Sequence, residues 1–178
     1  MPTWDLPDDF AVTASLGGIQ SKVLLSRHGE GWTHDGGRLH QEDFTQALAL
    51  ASSAKYEGTT APPSRLTTLV AAAAPHTRDD DAFRRDLLRA VTFNLVIGNG
   101  DAHSKDYSLL VRDGGEVLLA PLYDVAPTRL LYAPSVNAGH TLDGQARLNH
   151  LTLDHVVREG AAWGMDTDDA RITGVPSP

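Results

Sequence analysis

The sequence predicts an α+β fold that is mainly helical and carries small β-hairpins. The first observation is a segment with bulky apolar residues four positions apart, which predicts a buried helix over about residues 81–97. These residues are Phe83, Leu87, Val91 and Leu95. The second is a pair of short apolar runs around the turn Asp113-Gly114-Gly115, which predicts a hairpin. With 178 residues and 41% hydrophobic content, the chain can bury a core as a single domain.

The amino-terminal part of the chain predicts one hairpin, one helix and one loop. Lys22 to Arg27 is an apolar run typical of a strand, and Trp32 to His34 is the returning strand after a glycine turn. Gln41 to Leu50 carries apolar residues at helical spacing and predicts a helix. Two adjacent prolines place a loop between Gly58 and Ser64, because proline removes a backbone donor and fixes φ.

Two helices are predicted between residues 65 and 98. Arg65 to Ala74 predicts a helix that ends before a proline. The run Asp79-Asp80-Asp81 then offers an N-cap and a favourable first-turn charge to the long helix, which ends at Gly98. This end delivers Asp101 into a loop supported by a buried helix, and such support can fix a catalytic side chain.

The remaining elements are a hairpin and a last helix. Tyr107 to Arg112 and Glu116 to Leu119 form the predicted hairpin, which returns Asp124 to the neighbourhood of Asp101 by a short path. Thr152 can cap a helix whose following residues place valine, alanine and tryptophan on one face.

Composition excludes several classes of protein. The formal net charge of −8 argues against nonspecific nucleic-acid binding, which needs a basic face to neutralise phosphates. The chain has no cysteine, which excludes disulfides and thiolate metal sites. Met1 to Phe10 is acidic and contains two prolines, unlike a signal peptide, and no apolar run approaches the roughly 20 residues that span a bilayer. We therefore expect a cytoplasmic protein.

The pattern most informative about chemistry is Ile-Gly-Asn-Gly-Asp-Ala-His-Ser-Lys-Asp-Tyr-Ser at residues 97–108, followed by Leu-Tyr-Asp-Val at 122–125. Asp101, Asp106 and Asp124 match an order used in phosphoryl transfer. That order is a catalytic aspartate, a metal-binding residue five positions later, and a metal-binding aspartate beyond a hairpin. In this interpretation Asp101 accepts a hydrogen bond from the substrate hydroxyl, while Asp106 and Asp124 hold Mg²⁺ against the phosphates, since hard oxygen ligands suit this cation.

Three neighbours complete the candidate site. Lys105 would balance transition-state charge, so we assign it a catalytic role beside Asp101. We assign Asn99 and His103 to the nucleotide site, where Asn99 would brace the loop and His103 would hold the loop rather than ligate metal. The alternative without function is that loop Asp and Asn residues cap turns. A metal-dependent phosphoesterase centre at Asp101, His103 and Asp124 is a third interpretation, but it needs more ligands than this loop supplies.

The chain resembles the C-terminal kinase-like domain of HipA-type toxins, which are bacterial serine/threonine kinases of type II toxin–antitoxin systems. Four motifs carry the resemblance: residues 97–108, Leu-Ala-Pro-Leu-Tyr-Asp at 119–124, Leu-His-Gln-Glu-Asp-Phe at 39–44 and Lys-Tyr-Glu at 55–57. It extends from about Ser15 to Gly164. The resemblance implies a protein-kinase-like fold with Asp101 catalytic and Asp124 metal-binding. Asp106 stands where relatives usually carry asparagine, and its extra charge would either raise metal affinity or misplace the phosphates.

Ser15-Leu16-Gly17-Gly18-Ile19-Gln20-Ser21-Lys22 is similar to the phosphate-covering loop of the family. The resemblance implies ATP and Mg²⁺ as cofactors, with nucleotide contacts from Ser15, Gly17, Gly18, Gln20 and Lys22. Glycine allows backbone amides to approach phosphate closely. In the family a serine that matches Ser15 can be autophosphorylated, which switches the kinase off.

The chain departs from the family between this loop and residue 39. Relatives carry there a nucleotide-binding lysine, its acidic helix partner and the hinge that grips adenine, whereas here residues 28–38 alone connect Arg27 to Leu39. We therefore expect one domain over residues 1–178. It would hold a phosphate-loop hairpin at 15–34, as a remnant of the N-lobe, and a mainly helical C-lobe at 39–164.

Two functions stay open at this point. The retained Asp101 and Asp124 favour Mg-ATP-dependent phosphorylation of a protein serine or threonine. The missing nucleotide-gripping parts favour an inactive remnant that binds an antitoxin or another protein. The resemblance implies a protein substrate, an antitoxin partner, contact with DNA only indirectly through that antitoxin, and no membrane partner.

Overall fold

The computed structural model describes residues 26–28, 31–33, 40–58, 63–112, 114–131 and 137–175. The chain divides into two compact units, residues 1–38 and 39–178. The predicted phosphate-loop contacts all lie outside the described residues; they are Ser15, Gly17, Gly18, Gln20 and Lys22. Within the described ranges, no helix is long and apolar enough to cross a membrane.

The first unit contains a pair of short antiparallel strands. Strand β1 spans Ser26–His28 and strand β2 spans Gly31–Thr33, with Ser26 opposite Thr33. The predicted hairpin is confirmed at these positions, while the start of its first strand at Lys22 lies outside the described residues.

The second unit combines helices with short strands. In chain order its elements are β3 (His40–Asp43), α1 (Phe44–Ala47), α2 (Arg65–Ala73), α3 (Asp80–Val96), β4 (Ser108–Val111), β5 (Val117–Leu119), α4 (Thr128–Leu131), β6 (Asn137–Leu142), β7 (Gln145–Arg147), α5 (Leu153–Ala162) and α6 (Thr167–Thr173). The strands form small antiparallel sheets, so the architecture is mixed α/β.

Helix α3 is the centre of the core, as the apolar spacing predicts. The Asp79 carboxylate caps it by accepting a hydrogen bond from the Ala82 N–H at 2.8 Å. Leu87 is fully buried, and α5 and α6 pack against the helix. Helix α2 contributes Leu66 to the same buried cluster. Leu95, the last residue of the predicted stripe, is only partly buried.

A three-stranded sheet with the order β3-β4-β5 contains the predicted hairpin as β4 and β5. The helix predicted for Gln41 to Leu50 is wrong over its first residues, because β3 pairs with β4 and places Gln41 opposite Leu110. Asp43 then caps the single turn of α1 by accepting from the Gln46 N–H at 2.9 Å. Pairing with β4 satisfies backbone groups through the sheet, so tertiary structure overrides the local helical spacing.

The hairpin of β6 and β7 is an element that the sequence analysis does not predict. Its turn residues Asp143 and Gly144 have φ angles of 47° and 74°. An Asp-Gly pair with positive φ at both central positions is typical of a type I′ hairpin turn. The signal was therefore present in the sequence.

Helix α6 extends the packed part of the second unit beyond Gly164, where the predicted C-lobe ends. Asp166 caps this helix by accepting from the Asp168 N–H at 2.8 Å. Ala170 is fully buried, and a Cβ placed on Gly160 of α5 would lie 2.9 Å from the Ala170 Cβ. The two helices thus meet at close range, which closes the core around α3.

Candidate active site on the Asp101 loop

The candidate site begins where α3 ends. Gly98 has a φ of +74°, which glycine adopts without strain, and its carbonyl accepts from the Arg129 N–H at 3.0 Å. The loop that follows carries Asp101 and Asp106 before β4 begins at Ser108. Asp101 is exposed, whereas Asp106 is buried.

Buried amide side chains fix this loop to α3. The Asn94 side chain donates to the Tyr107 hydroxyl at 2.9 Å and accepts from the Asn99 side chain at 2.9 Å. Asn99 Oδ1 in turn accepts from the Asp101 N–H at 3.2 Å. Asn99 is 2% exposed. Its predicted bracing role is confirmed, while its contact with nucleotide stays a prediction.

The Tyr56 hydroxyl donates a hydrogen bond to Asp101 Oδ1. The Tyr56 ring packs edge-on against His103 with 5.2 Å between centroids, and the Lys55 Nζ lies 4.9 Å from the Tyr56 centroid. Burial, followed by the hydrogen bond to Asp101, raises the pKa of Tyr56 to about 12, so the hydroxyl is a donor at neutral pH. Sequence reasoning identified the Lys-Tyr-Glu motif but not this contact, because no local pattern joins it to Asp101.

Asp106 holds the loop through His103. Asp106 Oδ2 accepts from the His103 N–H at 2.9 Å, and the His103 Nδ1 lies 2.8 Å from the same oxygen. Both residues are buried. The expectation that His103 holds the loop is therefore confirmed, while its assignment to the nucleotide site stays a prediction.

Asp124 lies on the segment that follows β5 and has a φ of +55°. Aspartate tolerates this left-handed conformation better than most residues, although at some cost in backbone energy. The preceding Tyr123 fixes the segment, because its hydroxyl donates to the Lys105 carbonyl at 2.5 Å and lies 2.6 Å from the Ser108 hydroxyl. The Tyr123 hydroxyl thus ties the segment of Asp124 back to the loop that carries Asp101.

The three aspartates share surroundings but do not form a ready set of metal ligands. Besides burial, the charges of Asp101 and Asp106 raise the pKa of Tyr56, and those of Asp106 and Asp124 raise the pKa of Tyr123. Among the residues that the structure describes, no three His, Asp or Glu side chains lie together as a metal site. The expected convergence of the three carboxylates on one cation-sized site is therefore not seen in this conformation.

The donor chemistry nevertheless fits Mg²⁺. Asp106 Oδ1 and the Asp124 carboxylate have no hydrogen-bond partner among the described residues, and carboxylate oxygens are the ligands that this cation prefers. Lys105 donates from Nζ to the Ser52 hydroxyl in this conformation. The metal role of the two aspartates and the catalytic role of Lys105 stay predictions.

A buried carboxylate supports the site from behind. Glu57 accepts hydrogen bonds from the Arg65 N–H at 2.7 Å and the Thr141 N–H at 3.0 Å, and the His140 Nδ1 lies 3.6 Å away. Burial alone would raise the pKa of Glu57, but the nearby His140 side chain and the backbone hydrogen bonds from Thr141 and Arg65 outweigh it and lower the pKa to about 2. The Glu57 N–H also donates to the Gly139 carbonyl at 3.2 Å, which joins this segment to β6.

Gly139 brings β6 into direct contact with the backbone of the Asp101 loop. A Cβ on Gly139 would lie 2.0 Å from the Ala102 carbonyl oxygen and 2.8 Å from the His103 nitrogen. Only glycine permits this approach. The role of Gly139 is not predicted from the sequence, since a single glycine gives no indication of which backbone it faces.

A comparison with protein families and solved structures places the chain among known proteins. The model of the family described as HipA-like C-terminal domain matches residues 27–173. A chain in the Shewanella oneidensis MR-1 structure of the toxin–antitoxin system HipA, HipB and its operator DNA complex matches with a TM-score of 0.63. That match covers 84% of this chain and 40% of the other at 21% identity, so it shows a shared fold.

Two curated proteins of Sinorhizobium fredii (strain NBRC 101917 / NGR234) are similar in sequence. "Putative kinase Y4mE" is 38% identical over 102 residues, which is 57% of this chain and 23% of that protein. "Putative kinase Y4dM" is 33% identical over 92 residues, which is 52% of this chain and 21% of that protein. The chain thus spans less than a quarter of the length of these relatives. Because the family model matches well over half of its residues, the chain belongs to the HipA-like C-terminal domain family.

Proposed function

We propose that this chain carries out Mg-ATP-dependent phosphoryl transfer to a serine or threonine hydroxyl of a protein substrate. The observation that carries the proposal is the exposed Asp101 carboxylate on a loop braced against α3. Its Oδ1 is held by Tyr56, and its Oδ2 has no partner among the described residues. A carboxylate oxygen held in this way can accept a hydrogen bond from a substrate hydroxyl. Family membership and the kinase names of the relatives support the proposal.

In this mechanism the substrate hydroxyl donates a hydrogen bond to Asp101 and is thereby aimed at the γ-phosphorus of ATP. A bond forms between the hydroxyl oxygen and that phosphorus, the bond to the ADP oxygen breaks, and the hydroxyl proton passes to Asp101. Asp106 and Asp124 would hold Mg²⁺, which supplies charge neutralisation at the phosphates when bound. Lys105 would add positive charge beside the transferring group.

The family context extends the proposal to partners and compartment. The matched fold occurs in a structure that contains HipA, HipB and operator DNA. We therefore propose an antitoxin as the partner of this chain in the cytoplasm, with DNA contacted only through that antitoxin. The net charge of −8 supports indirect contact, since the chain alone would be repelled by phosphates.

A specific observation favours a second candidate function, which is binding of a protein partner without catalysis. Residues 29–38 alone separate β1 from residue 39, which leaves no room for a lysine strand, its acidic helix and an adenine hinge. A kinase needs ATP in register with the acceptor, and a misplacement of about 1 Å can cost roughly a hundredfold in rate.

Calorimetric titration with Mg-ATP and transfer of labelled γ-phosphate distinguish the two functions. Under the first, Asp101→Asn should bind Mg-ATP like wild type but transfer phosphate at least about a hundredfold more slowly, because only the acceptor loses its partner. Asp124→Asn should lose binding. Asp86→Asn is the matched control: it removes the same charge from the exposed side of α3, where Asp86 pairs with Arg89, and should change neither result.

Each outcome favours one side. Absence of Mg-ATP binding by folded wild type would favour the second function. Transfer by Asp101→Asn at the wild-type rate would refute the proposed role of Asp101.

A further inference from the structure

We infer that Tyr56 is the positioning residue for Asp101, holding Oδ1 so that Oδ2 stays available to the substrate hydroxyl. The inference rests on the proposed function and adds a residue to its site. Its basis is the hydrogen bond from the Tyr56 hydroxyl to Asp101, which is the only side-chain hydrogen bond to that carboxylate among the described residues.

The backbone around Tyr56 is held by hydrogen bonds, so the tyrosine does not belong to a loose segment. The Arg65 guanidinium donates to the carbonyls of Ala54 at 2.7 Å, Lys55 at 3.2 Å and Tyr56 at 3.3 Å. It also donates to the Ser104 hydroxyl at 2.7 Å, and the Ser104 N–H donates to the Lys55 carbonyl at 3.0 Å. One guanidinium therefore ties the segment of Tyr56 to the loop that carries Asp101.

The ring of Tyr56 is held as well as its backbone. The edge-on packing against His103 fixes one side of the ring, and His103 itself is buried and bonded to Asp106. The next residue, Glu57, is fixed by its contacts to α2 and β6. Because these contacts hold the Tyr56 ring and the backbone on both sides of it, the hydroxyl occupies a fixed point beside the Asp101 loop.

The contact leaves the acceptor position open. Asp101 has two carboxylate oxygens, and Tyr56 donates to one of them. A tyrosine hydroxyl is protonated at neutral pH, and the raised pKa of Tyr56 extends this range, so it acts as a donor and does not compete as a base. Without this donor, the exposed Asp101 side chain would move among several rotamers and spend less time aimed at a substrate.

Kinetics of Tyr56→Phe give the first test, since phenylalanine keeps the ring against His103 and removes only the donor. We expect kcat for phosphoryl transfer to fall roughly tenfold, which corresponds to about 1.4 kcal/mol, with the KM for ATP and the Kd of Mg-ATP unchanged. A merely structural role would change nucleotide binding together with kcat. An unchanged kcat, or a loss of ATP affinity equal to the loss of rate, would overturn the inference.

A thermodynamic cycle tests the same contact without any assay of activity. Tyr56→Phe should lower the folding equilibrium constant by roughly fivefold in the wild-type background and leave it unchanged in the Asp101→Ala background, because the partner is already gone. Tyr123→Phe is the matched control. It removes a hydroxyl bonded to the Lys105 carbonyl, so its effect should be equal in both backgrounds.

The two tests separate failure of the inference from failure of the proposed function. Equal effects of Tyr56→Phe in both backgrounds would show that the two side chains do not interact, which overturns the inference whether or not the chain is a kinase. Clear coupling in a chain whose wild type transfers no phosphate would refute the proposed function and, with it, the catalytic purpose of the contact.

Discussion

Gly139→Ala is expected to damage the fold and the candidate site together. The added Cβ would lie 2.0 Å from the Ala102 carbonyl oxygen, 2.5 Å from its carbon and 2.8 Å from the His103 nitrogen. Real Cβ contacts essentially never fall below 3.0 Å, so β6 and the Asp101 loop would have to separate by about 1 Å. All three atoms belong to the backbone, and no side chain can rotate away. The cost should therefore reach the upper end of the overpacking range, about 3 kcal/mol.

The same displacement should also lower the rate of phosphoryl transfer. Ala102 follows Asp101 directly, and a misplacement of about 1 Å can reduce a rate roughly a hundredfold. Urea denaturation would measure the loss of stability, and transfer of labelled phosphate would measure the loss of rate. Gly114→Ala is the control: its φ of +89° strains an alanine, but no atom lies within 4 Å of the new Cβ. This variant should lose stability and keep its transfer rate. Wild-type stability of Gly139→Ala would refute the close approach of β6.

Three further predictions concern the core, the buried carboxylate and the nucleotide. Leu87→Ala should cost about 2–5 kcal/mol in urea denaturation, and Leu95→Ala clearly less, because Leu87 is fully buried and Leu95 is not; equal losses would contradict their placement. Glu57 has its pKa lowered from 4.5 to about 2, so its stabilising contribution is present above pH 4.5 and is lost as the pH falls towards 2. Urea midpoints of Glu57→Gln should therefore vary less between pH 5 and pH 3 than those of wild type. Calorimetry should find Mg-ATP binding that is weak and poorly selective over Mg-GTP, because residues 28–38 cannot supply a hinge that reads the base; tight, adenine-selective binding would show that another segment replaces the hinge.

Helices with strong local signals could be predicted from the sequence alone. The α3 cap at Asp79 and its glycine end at Gly98 are properties of adjacent residues, and both agree with the structure. The hairpin of β4 and β5 likewise follows from its glycine turn. Strand β3 could not be predicted in this way, because Gln41 to Asp43 become extended only by pairing with β4, which lies more than sixty residues later in the chain.

The residues of the candidate site likewise differ in whether they could be predicted from local sequence. Spacing in the sequence identifies Asp101, Asp106 and Asp124. The bracing of the loop by Asn99 could also be predicted, because Asn99 contacts a residue only two positions away in the chain. The contacts of Tyr56 and Gly139 join segments that are far apart in the chain, and neither residue type indicates in the sequence which residue it contacts. Long-range packing determines which tyrosine contacts the Asp101 carboxylate and which glycine allows close approach of the Asp101 loop.

Asp106 departs from the asparagine that the resemblance leads one to expect, and its contacts give this departure a physical reason. Its Oδ2 faces both the N–H and the Nδ1 of His103, which holds the loop in shape. An asparagine that kept its carbonyl oxygen on His103 would turn its NH₂ group to the place of Asp106 Oδ1, where a cation would meet a donor instead of an acceptor. Aspartate carries an acceptor at both ends. The same side chain can therefore fix His103 and still offer an oxygen to Mg²⁺, so the substitution suits this loop and does not by itself disable the proposed site.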